Sequence, residues 1–297
     1  MKSNLNSNLL AQVASVNSST GGATLTQVAR SHALKDLVST CRGKLNIQVR
    51  DLRDLKPAHL QKYVTHAKEQ GVGNRTLQNR LAHVRTALAQ FKDPMANPKH
   101  SLTSNQALGI AGASRAGTHK AISADQVSQA RAGLLASGQP GAAAALDLQR
   151  ELGLRQREAI QSEKSLKSWE RALERGDRVT VIHGTKGGRG RETGVVDTAR
   201  ALGAVRNALE VVKSQGGRLV PSQTLQGACR SYQRSLQAQG LTGELASHSL
   251  RCAYAQERFA QHLERIGDRR EALAATSVDL GHGDGRGTYV AQVYLAN

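Results

Sequence analysis

Four short clusters in the second half of this 297-residue sequence combine residue types that can act on a phosphate group. They lie at residues 153–158, 185–192, 248–251 and 280–283, and the last is followed by Tyr289 and Tyr294. Arginine guanidinium groups donate paired hydrogen bonds to phosphate oxygens, and a tyrosine hydroxyl becomes a nucleophile when a base or cations activate it. Taken one at a time, these residues are better explained as solvated surface charges, loop histidines or packed tyrosines. Their combination and order are what point to chemistry.

Charge indicates what kind of partner such residues would meet. The chain carries 41 Lys and Arg against 23 Asp and Glu, a formal net charge of +18. Residues 1–120 hold 17 of these basic residues against 5 acidic ones, so their net charge is +12. An excess of this size favours a polyanionic partner, most simply nucleic acid, over a basic protein that has no such partner.

Composition excludes several other classes of protein. Aromatic residues make up only 3% of the chain, so Ala, Leu and Val must form the core, which favours helices over β-sandwiches. The sequence shows no run of eighteen apolar residues and no secretory pattern, and we expect a cytoplasmic, nucleoid-associated protein. The three cysteines lie far apart in no metal-binding spacing, so neither a disulfide scaffold nor a zinc site is expected.

The basic first part of the chain is predicted to be a small helical bundle. Residues 1–22 are rich in Ser and Asn and are expected to form a flexible arm, followed by a helical DNA-binding domain over residues 23–115. Three apolar stripes with helical spacing predict three helices there. The first is closed by Gly43, the second is opened by Pro57, and the third is capped by Asn74.

Basic side chains in this part of the chain are the predicted DNA contacts. Arg75 lies on the face of the third helix opposite its apolar stripe, and Arg80 and Arg85 flank the stripe. Each could instead be a solvated surface charge. Residues 93–121, rich in Pro, Ser and Gly, are predicted to be an interdomain linker whose charge suits a path along a DNA backbone. The basic residues near its end are Arg115, His119 and Lys120.

Residues 116–297 are predicted to form a second, mostly helical domain with one small β-hairpin. Ser123 is placed to cap its first helix, and an Ala-rich helix covers residues 142–154. β-Branched segments at residues 179–182 and 193–196 flank a turn rich in Gly and Arg, a pattern typical of a hairpin. Further helices follow, so the predicted fold class is mainly α.

Taken together and in this order, the clusters resemble the tyrosine recombinases, the phage-integrase family of site-specific DNA recombinases. That family is marked by a Gly-Leu-Arg-x-x-Glu segment, a β-hairpin lysine, a His-x-x-Arg box, a Leu-Gly-His box and a C-terminal tyrosine. The corresponding positions here are residues 153–158, Lys186, residues 248–251, residues 280–282 and one of the last two tyrosines. The Gly-rich last box is similar to that of integrases from integrative and conjugative elements.

The resemblance implies an architecture and a set of partners. The architecture is a SAM-like helical core-binding bundle followed by a catalytic domain. The implied activity is DNA strand cleavage and rejoining through a 3′-phosphotyrosyl bond, on double-stranded DNA, by dimers or tetramers of the chain. Because that bond keeps the energy of the original one, and because the sequence has no carboxylate cluster for a metal ion, we expect neither a cofactor nor a metal.

The resemblance also implies a role for each residue of three boxes. Arg155 and Arg251 would bind the scissile phosphate, and Glu158 would orient an arginine. His248 would act as the base or assist the proton's transfer, and His282 would donate to the phosphate.

The hairpin supplies the remaining predicted contacts. Lys186 would protonate the leaving 5′-hydroxyl from the minor groove, and Arg189 and Arg191 in the same turn would contact DNA.

The nucleophile is predicted to be Tyr294. In the family the tyrosine usually lies nine residues after the histidine of the Leu-Gly-His box, but here that position is Ala291. Tyr289 and Tyr294 lie seven and twelve residues after His282. We favour Tyr294 because the Gly-rich stretch can absorb a three-residue insertion, and a short helix would then end in this tyrosine. Tyr289 would then pack or stack beside the site.

Two other functions fit part of this pattern. One is a catalytically silent DNA-binding or regulatory protein of the same fold, and the other is an enzyme like the type IB topoisomerases. The presence of all the matched polar residues argues against the first, and the small bundle and short chain argue against the second.

Overall fold

The computed structural model describes residues 7–114 and 120–296. The chain divides into two compact units, residues 1–114 and residues 115–297. Two basic residues of the predicted linker, Arg115 and His119, lie outside the described residues.

Within residues 7–114, four α-helices surround one apolar core. They are α1 (Ser7–Thr20), α2 (Thr24–Gly43), α3 (Pro57–Glu69) and α4 (Asn74–Leu88). The stripes predicted for α2, α3 and α4 supply the core through residues such as Leu37, Leu60 and Leu81, so the predicted helical bundle is confirmed. The N-cap of α4 is Gly73, and Asn74 is its first helical residue.

Helix α1 shows that the prediction of a flexible arm was wrong for residues 7–20. Leu9, Val13 and Val16 lie about one turn apart on a single face and are buried in the bundle core. Arg30 of α2 stabilises the turn between α1 and α2 by donating to the carbonyl of Gly21 at 3.1 Å. The Ser- and Asn-rich composition indicated disorder, but burial of one apolar stripe stabilises the helix.

Most of the predicted linker belongs to the first unit. Met95, Leu108 and Ile110 are buried in the same core as the four helices, so the prediction of a linker was wrong for residues 93–110. Pro, Ser and Gly marked the segment as irregular, which it is, but three apolar side chains are enough to pack an irregular segment onto a bundle.

Within residues 120–296, nine α-helices and one antiparallel hairpin make up the second unit. The helices are α5 (Ala124–Ala136), α6 (Pro140–Leu152), α7 (Gln156–Ile160), α8 (Leu166–Glu174), α9 (Thr198–Ser214), α10 (Leu225–Ala238), α11 (His248–Ile266), α12 (Arg269–Asp279) and α13 (Gly287–Tyr294). The strands are β1 (Val179–Val181) and β2 (Arg191–Thr193). A mainly helical fold with one small hairpin is thereby confirmed. Across the described ranges, no helix is both long and apolar enough to cross a bilayer.

Helix α6 forms the centre of this unit because its small residues allow close approach. Its alanines are buried, and it packs against α5, α9 and α11. Ser123 caps α5 through reciprocal bonds with Gln126, as predicted. Gly153 ends α6 with a φ of 57°, and a Cβ there would lie 2.2 Å from the Tyr254 ring. Only glycine fits this turn, which leads directly into Arg155.

The second strand of the hairpin lies earlier in the sequence than predicted. Val179 is opposite Thr193, and Val181 is opposite Arg191, so the strand ends where it was predicted to begin. Trp169 of α8 donates its indole N–H to the Thr180 carbonyl at 2.7 Å and holds the hairpin against the helices. The earlier register places Arg191 in the strand instead of the turn.

Candidate active site

The candidate site lies where the ends of four helices meet in the second unit. Arg155 directly precedes α7, and His248 and Arg251 lie in the first turn of α11. His282 follows the end of α12, and Tyr294 is the last residue of α13. These residues, from three of the sequence clusters, surround one point, and Arg191 adds the fourth cluster.

Arg251 is at the centre of the site. Its side chain is fully buried, and its guanidinium donates to the carbonyl oxygens of Gly153 and Leu280. Its Nε donates to the hydroxyl of Tyr294 at 3.3 Å. A guanidinium whose direction is set by two carbonyls is a preorganised group for binding an anion.

Arg155 is held beside it by a buried carboxylate. The Nη1 atom of Arg155 donates to Glu158 Oε1 at 2.7 Å, and its Nη2 donates to the Leu280 carbonyl at 3.4 Å. Glu158 Oε2 also accepts the backbone N–H of Arg155 at 2.8 Å. Glu158 thus contacts the arginine that it was expected to orient. Because 27% of the Arg155 side chain is exposed, a ligand can reach it.

Arg191 is a third arginine of this site, and the prediction of a DNA contact on the hairpin surface was wrong for it. Only 6% of its side chain is exposed. Its Nη2 donates to Glu158 Oε2 at 2.9 Å and to the Gly153 carbonyl at 3.3 Å. The placement follows from the observed strand, in which Arg191 and the buried Thr193 lie two residues apart and share one face.

The hydroxyl of Tyr294 lies within hydrogen-bond distance of two predicted catalytic residues. His282 Nε2 is 3.0 Å from the hydroxyl oxygen, and Arg251 Nε is 3.3 Å from it. Burial and the charges of Arg251 and Arg155 lower the pKa of His282 to about 3. A pKa this low keeps the imidazole neutral, so one ring nitrogen can accept the hydrogen bond of the Tyr294 hydroxyl, but it makes His282 a weak base until a bound phosphate offsets the charges of the arginines.

His248 and Tyr289 flank Tyr294. The His248 ring lies 5.3 Å from the Tyr294 ring, centroid to centroid. Tyr289 is partly exposed and packs edge-on against His282 at 5.1 Å and against Tyr294 at 6.3 Å. Of the two candidate nucleophiles, Tyr294 is the one whose hydroxyl accepts a hydrogen bond from the Arg251 guanidinium.

Three guanidinium groups and one carboxylate make the site positive. Burial by itself would raise the pKa of Glu158, but the charges of Arg191 and Arg251 hold it below its usual value, so Glu158 is ionised at neutral pH. Its negative charge balances one arginine and leaves two positive charges in excess. In the described residues, no group of three His, Cys, Asp or Glu side chains is placed to hold a metal ion.

The structure does not bring Lys186 into the site. Lys186 and Arg189 are exposed at the tip of the hairpin, where Gly187 and Gly188 adopt left-handed backbone conformations. The tip has no buried side chain, so packing does not set where Lys186 meets a substrate.

Other basic residues predicted to contact DNA lie on the surfaces of their units. Arg75 is exposed on α4. Arg80 pairs with Asp36 at 2.7 Å, and Lys120 pairs with Glu244 at 2.7 Å. Both pairs are partly exposed, so solvent weakens them and a phosphate can compete for either cation.

Arg85 does not belong to this surface set, and the prediction of a DNA contact was wrong for it. Its guanidinium is buried and donates to the Thr103 carbonyl at 2.6 Å and to Asn105 Oδ1 at 3.0 Å. The residue anchors the segment that follows the bundle. Sequence spacing placed Arg85 at the edge of the apolar stripe, and the segment that covers this edge decides its burial.

A second buried carboxylate, Asp279, lies next to the site and was not identified from sequence. It accepts from Arg178 and, at 2.9 Å, from Arg258, and His262 Nε2 lies 2.9 Å from the same carboxylate. Burial alone would raise the pKa of Asp279, but His262 and Arg258 hold it well below its usual value. Asp279 immediately precedes Leu280, whose carbonyl contacts two arginines of the site. Its partner Arg178 is 101 residues away, which hides the pairing from any local pattern.

Two family models match this chain. The model described as integrase covers residues 109–257, and the model described as phage integrase, N-terminal, covers residues 5–92. No curated relative matches the chain.

Solved structures share the fold at low sequence identity. A lambda integrase dimer bound to a COC′ core site superposes with a TM-score of 0.63 and 16% identity over 96% of this chain and 95% of that one. A lambda integrase tetramer bound to a Holliday junction gives 0.58 and 14% over 96% and 80% of the two chains. The Tn1549 transposon integrase in complex with transposon right end DNA gives 0.55 and 13% over 96% and 94%.

Proposed function

This chain belongs to the integrase family of tyrosine recombinases, and on that premise we propose that it cleaves and rejoins DNA strands through a 3′-phosphotyrosyl intermediate. The observation that carries the proposal is the hydroxyl of Tyr294, held between the guanidinium of Arg251 and the neutral imidazole of His282. A tyrosine in that position has a base for its proton and an anion-binding group beside its oxygen.

In the proposed cleavage step, the Tyr294 oxygen attacks the scissile phosphorus and its proton passes to His282. An oxygen–phosphorus bond forms to the tyrosine, and the bond from phosphorus to the 5′ oxygen breaks. The departing 5′ oxygen takes a proton from Lys186 on the hairpin. In rejoining, a 5′-hydroxyl attacks the phosphotyrosyl ester, so no nucleotide is consumed.

This step assigns the tyrosine proton to a different histidine from the one predicted. The sequence resemblance gave that role to His248, but the hydrogen bond to the tyrosine hydroxyl supports His282. His248, whose ring lies beside that of Tyr294, is near enough to assist the transfer or to donate to the phosphate.

Arg155 and Arg251 would bind the non-bridging oxygens of the phosphate. Charge builds on those oxygens as the tyrosine attacks, and the excess of positive charge in the site would stabilise it. Removing a preorganised donor of this kind typically costs about 10²–10³ in rate.

We propose double-stranded DNA as the substrate and dimers or tetramers as the assembly that exchanges strands. Structures of lambda integrase that share this fold are described as a dimer on a core site and a tetramer on a Holliday junction. The net charge of +12 over residues 1–120 and the exposed side chains of Arg75, Lys186 and Arg189 also support a DNA partner.

The test uses a nicked duplex that traps the cleaved state because the strand beyond the nick is lost. The wild-type chain is expected to form a covalent protein–DNA adduct, and Tyr294→Phe is expected to bind the duplex and form none. Tyr289→Phe is the matched control and should still form the adduct. Mass spectrometry of the digested adduct should locate the nucleotide on Tyr294.

Other outcomes would select among the alternative functions. An adduct on Tyr289, or one that persists in Tyr294→Phe, would contradict the choice of nucleophile. An adduct with plasmid relaxation but no exchanged strands would indicate a topoisomerase, and DNA binding without any adduct would indicate a silent DNA-binding protein.

A further inference from the structure

The three arginines of the site are joined in a closed ring by three shared acceptors. Within the ring, each arginine donates to two acceptors, and each acceptor takes hydrogen bonds from two arginines. In order, the members are Arg155, Glu158, Arg191, the Gly153 carbonyl, Arg251 and the Leu280 carbonyl. Two of these arginines have a proposed contact with the phosphate, and Arg191 has none.

Arg191 differs from the other two arginines in what it meets: Arg155 is partly exposed and Arg251 donates to the Tyr294 hydroxyl, whereas Arg191 donates to Glu158 and to the Gly153 carbonyl. Its Nε and Nη1 atoms are buried and have no hydrogen-bond partner among the described residues. Its side chain runs across Gly281, where an added Cβ would lie 2.3 Å from Arg191 Cδ. The glycine of the Leu-Gly-His box, whose φ is +66°, thus leaves room for this arginine. A side chain packed in this way acts through the groups that it touches.

Those groups orient the two arginines that face the substrate. Arg191 holds Glu158 Oε2, while the other oxygen of Glu158 holds Arg155. Arg191 also donates to the Gly153 carbonyl, the same oxygen that directs Arg251. Burying N–H groups without partners is unfavourable, so the fold retains this arginine at a cost in stability. Burial and the charge of Arg251 lower the pKa of Arg191 to about 10, which still leaves it charged at neutral pH.

We propose that Arg191 is a positioning residue for strand cleavage, which closes the ring and fixes Arg155 and Arg251 against the scissile phosphate. This inference rests on the proposed function and adds to it a residue outside the matched boxes. It requires both bonds of Arg191, to Glu158 and to Gly153, and a positive charge alone does not meet that requirement.

The experiment compares cleavage of two nicked duplexes, one with a normal scissile phosphate and one with a methylphosphonate at that position. The methylphosphonate lacks one negatively charged oxygen, so it depends less on two well-placed guanidinium groups. Arg191→Met is expected to slow cleavage of the phosphate about 10²-fold, the order of effect of a misplacement of about 1 Å. On the methylphosphonate the loss should be less than about tenfold, because less charge then develops against the misplaced arginines.

Two further variants separate positioning from charge and from folding. Arg191→Lys keeps the charge but cannot make both bonds, so it should lose nearly as much cleavage of the phosphate as Arg191→Met. Arg178→Met removes a half-exposed arginine of the Asp279 cluster, and any loss should be equal on both substrates. Near-ultraviolet circular dichroism and duplex binding report whether each variant is folded.

Several results would overturn the inference. Equal losses on the two substrates for Arg191→Met, recovery of wild-type rates in Arg191→Lys, or unfolding of both variants would each assign Arg191 to charge or to the fold alone. Wild-type cleavage alongside any of these results contradicts only this inference. A wild-type chain that cleaves neither substrate contradicts the proposed function, and this inference with it.

Discussion

Two buried carboxylates of the second unit, Glu158 and Asp279, each lie among arginines, and the two clusters differ in what their arginines have left to bind. Glu158 binds the guanidinium groups of Arg155 and Arg191, and two buried nitrogen atoms of Arg191 have no hydrogen-bond partner among the residues that the structure describes. Asp279 is bound by Arg178 and Arg258 and by the Gly194 N–H at 3.3 Å. Within the described ranges, no buried side-chain atom of the Asp279 cluster is left without a hydrogen-bond partner.

The difference shows how a protein separates a binding site from its support. The Glu158 cluster combines an excess of positive charge with a partly exposed guanidinium, that of Arg155, so a phosphate can bind there. A buried carboxylate whose hydrogen-bonding partners are all in place leaves no donor free for a ligand. Such a carboxylate holds the elements that carry its partners together. Asp279 does this one residue before Leu280, whose carbonyl directs Arg155 and Arg251.

The largest expected effect is loss of stability in Asp279→Asn. Removing the carboxylate leaves the nearly buried Arg258 without its counter-charge, and breaking such a buried pair typically costs about 3–5 kcal/mol. Unfolding in denaturant should show the loss, and adding a DNA duplex should not restore it. Glu158→Gln should also be destabilised, but a bound duplex should restore much of its stability, since a phosphate can supply the missing charge. Equal rescue of both variants would remove the distinction between the two clusters.

Arg155→Ala is expected to show the opposite pattern, with a large effect on cleavage and a small one on stability. Its side chain is partly exposed, so its removal should slow adduct formation about 10²–10³-fold while the free energy of unfolding changes little. Arg251→Ala should reduce both, because Arg251 is fully buried. The measurement pairs rates on the nicked duplex with denaturant unfolding, and cleavage by Arg155→Ala at the wild-type rate would contradict the assignment.

Acidification is expected to lower the stability of the fold through His282, which lies in the positively charged site. Its burial and the four arginines around it lower its pKa from 6.5 to about 3, so between these values the unfolded chain binds the proton more readily than the folded one. The stability that the neutral His282 provides is therefore present above about pH 6.5 and declines as the pH falls toward 3. Unfolding at pH 7 and pH 5 should show a smaller loss on acidification for His282→Gln than for the wild type. Parallel losses would mean that the arginines do not act on this histidine.

The smallest expected effect concerns an arginine outside both clusters. Arg75 is exposed in the first unit, so Arg75→Ala should weaken duplex binding modestly and reduce the slope of log affinity against log salt by about 0.9, as expected for one phosphate contact. Arg85→Ala is the matched control from the same helix. Because Arg85 is buried, its loss should lower stability and leave the slope unchanged. An unchanged slope in Arg75→Ala would remove Arg75 from the DNA-contacting set.

What the sequence determined about this protein is mainly local. Helix stripes, the stop at Gly43, the start at Pro57 and the cap at Ser123 are fixed by residues a few positions apart, and the structure contains them. The boxes that identified the family are local in the same way, because each is a short run of residue types that the chemistry requires. Local patterns also indicated Tyr294 over Tyr289, a choice that the hydroxyl contacts now support.

Tertiary structure decided which charged groups are buried and what they meet. Arg191, Arg85 and Asp279 are charged residues of types that usually lie at the surface, yet each is buried by partners that are distant in the sequence. Arg191 lies 33 residues from Glu158, and Asp279 lies 101 residues from Arg178. Helix α1 likewise depends on a core that other helices complete. A charge can be buried only where distant groups supply its counter-charge and hydrogen bonds, and only the folded chain brings those groups together.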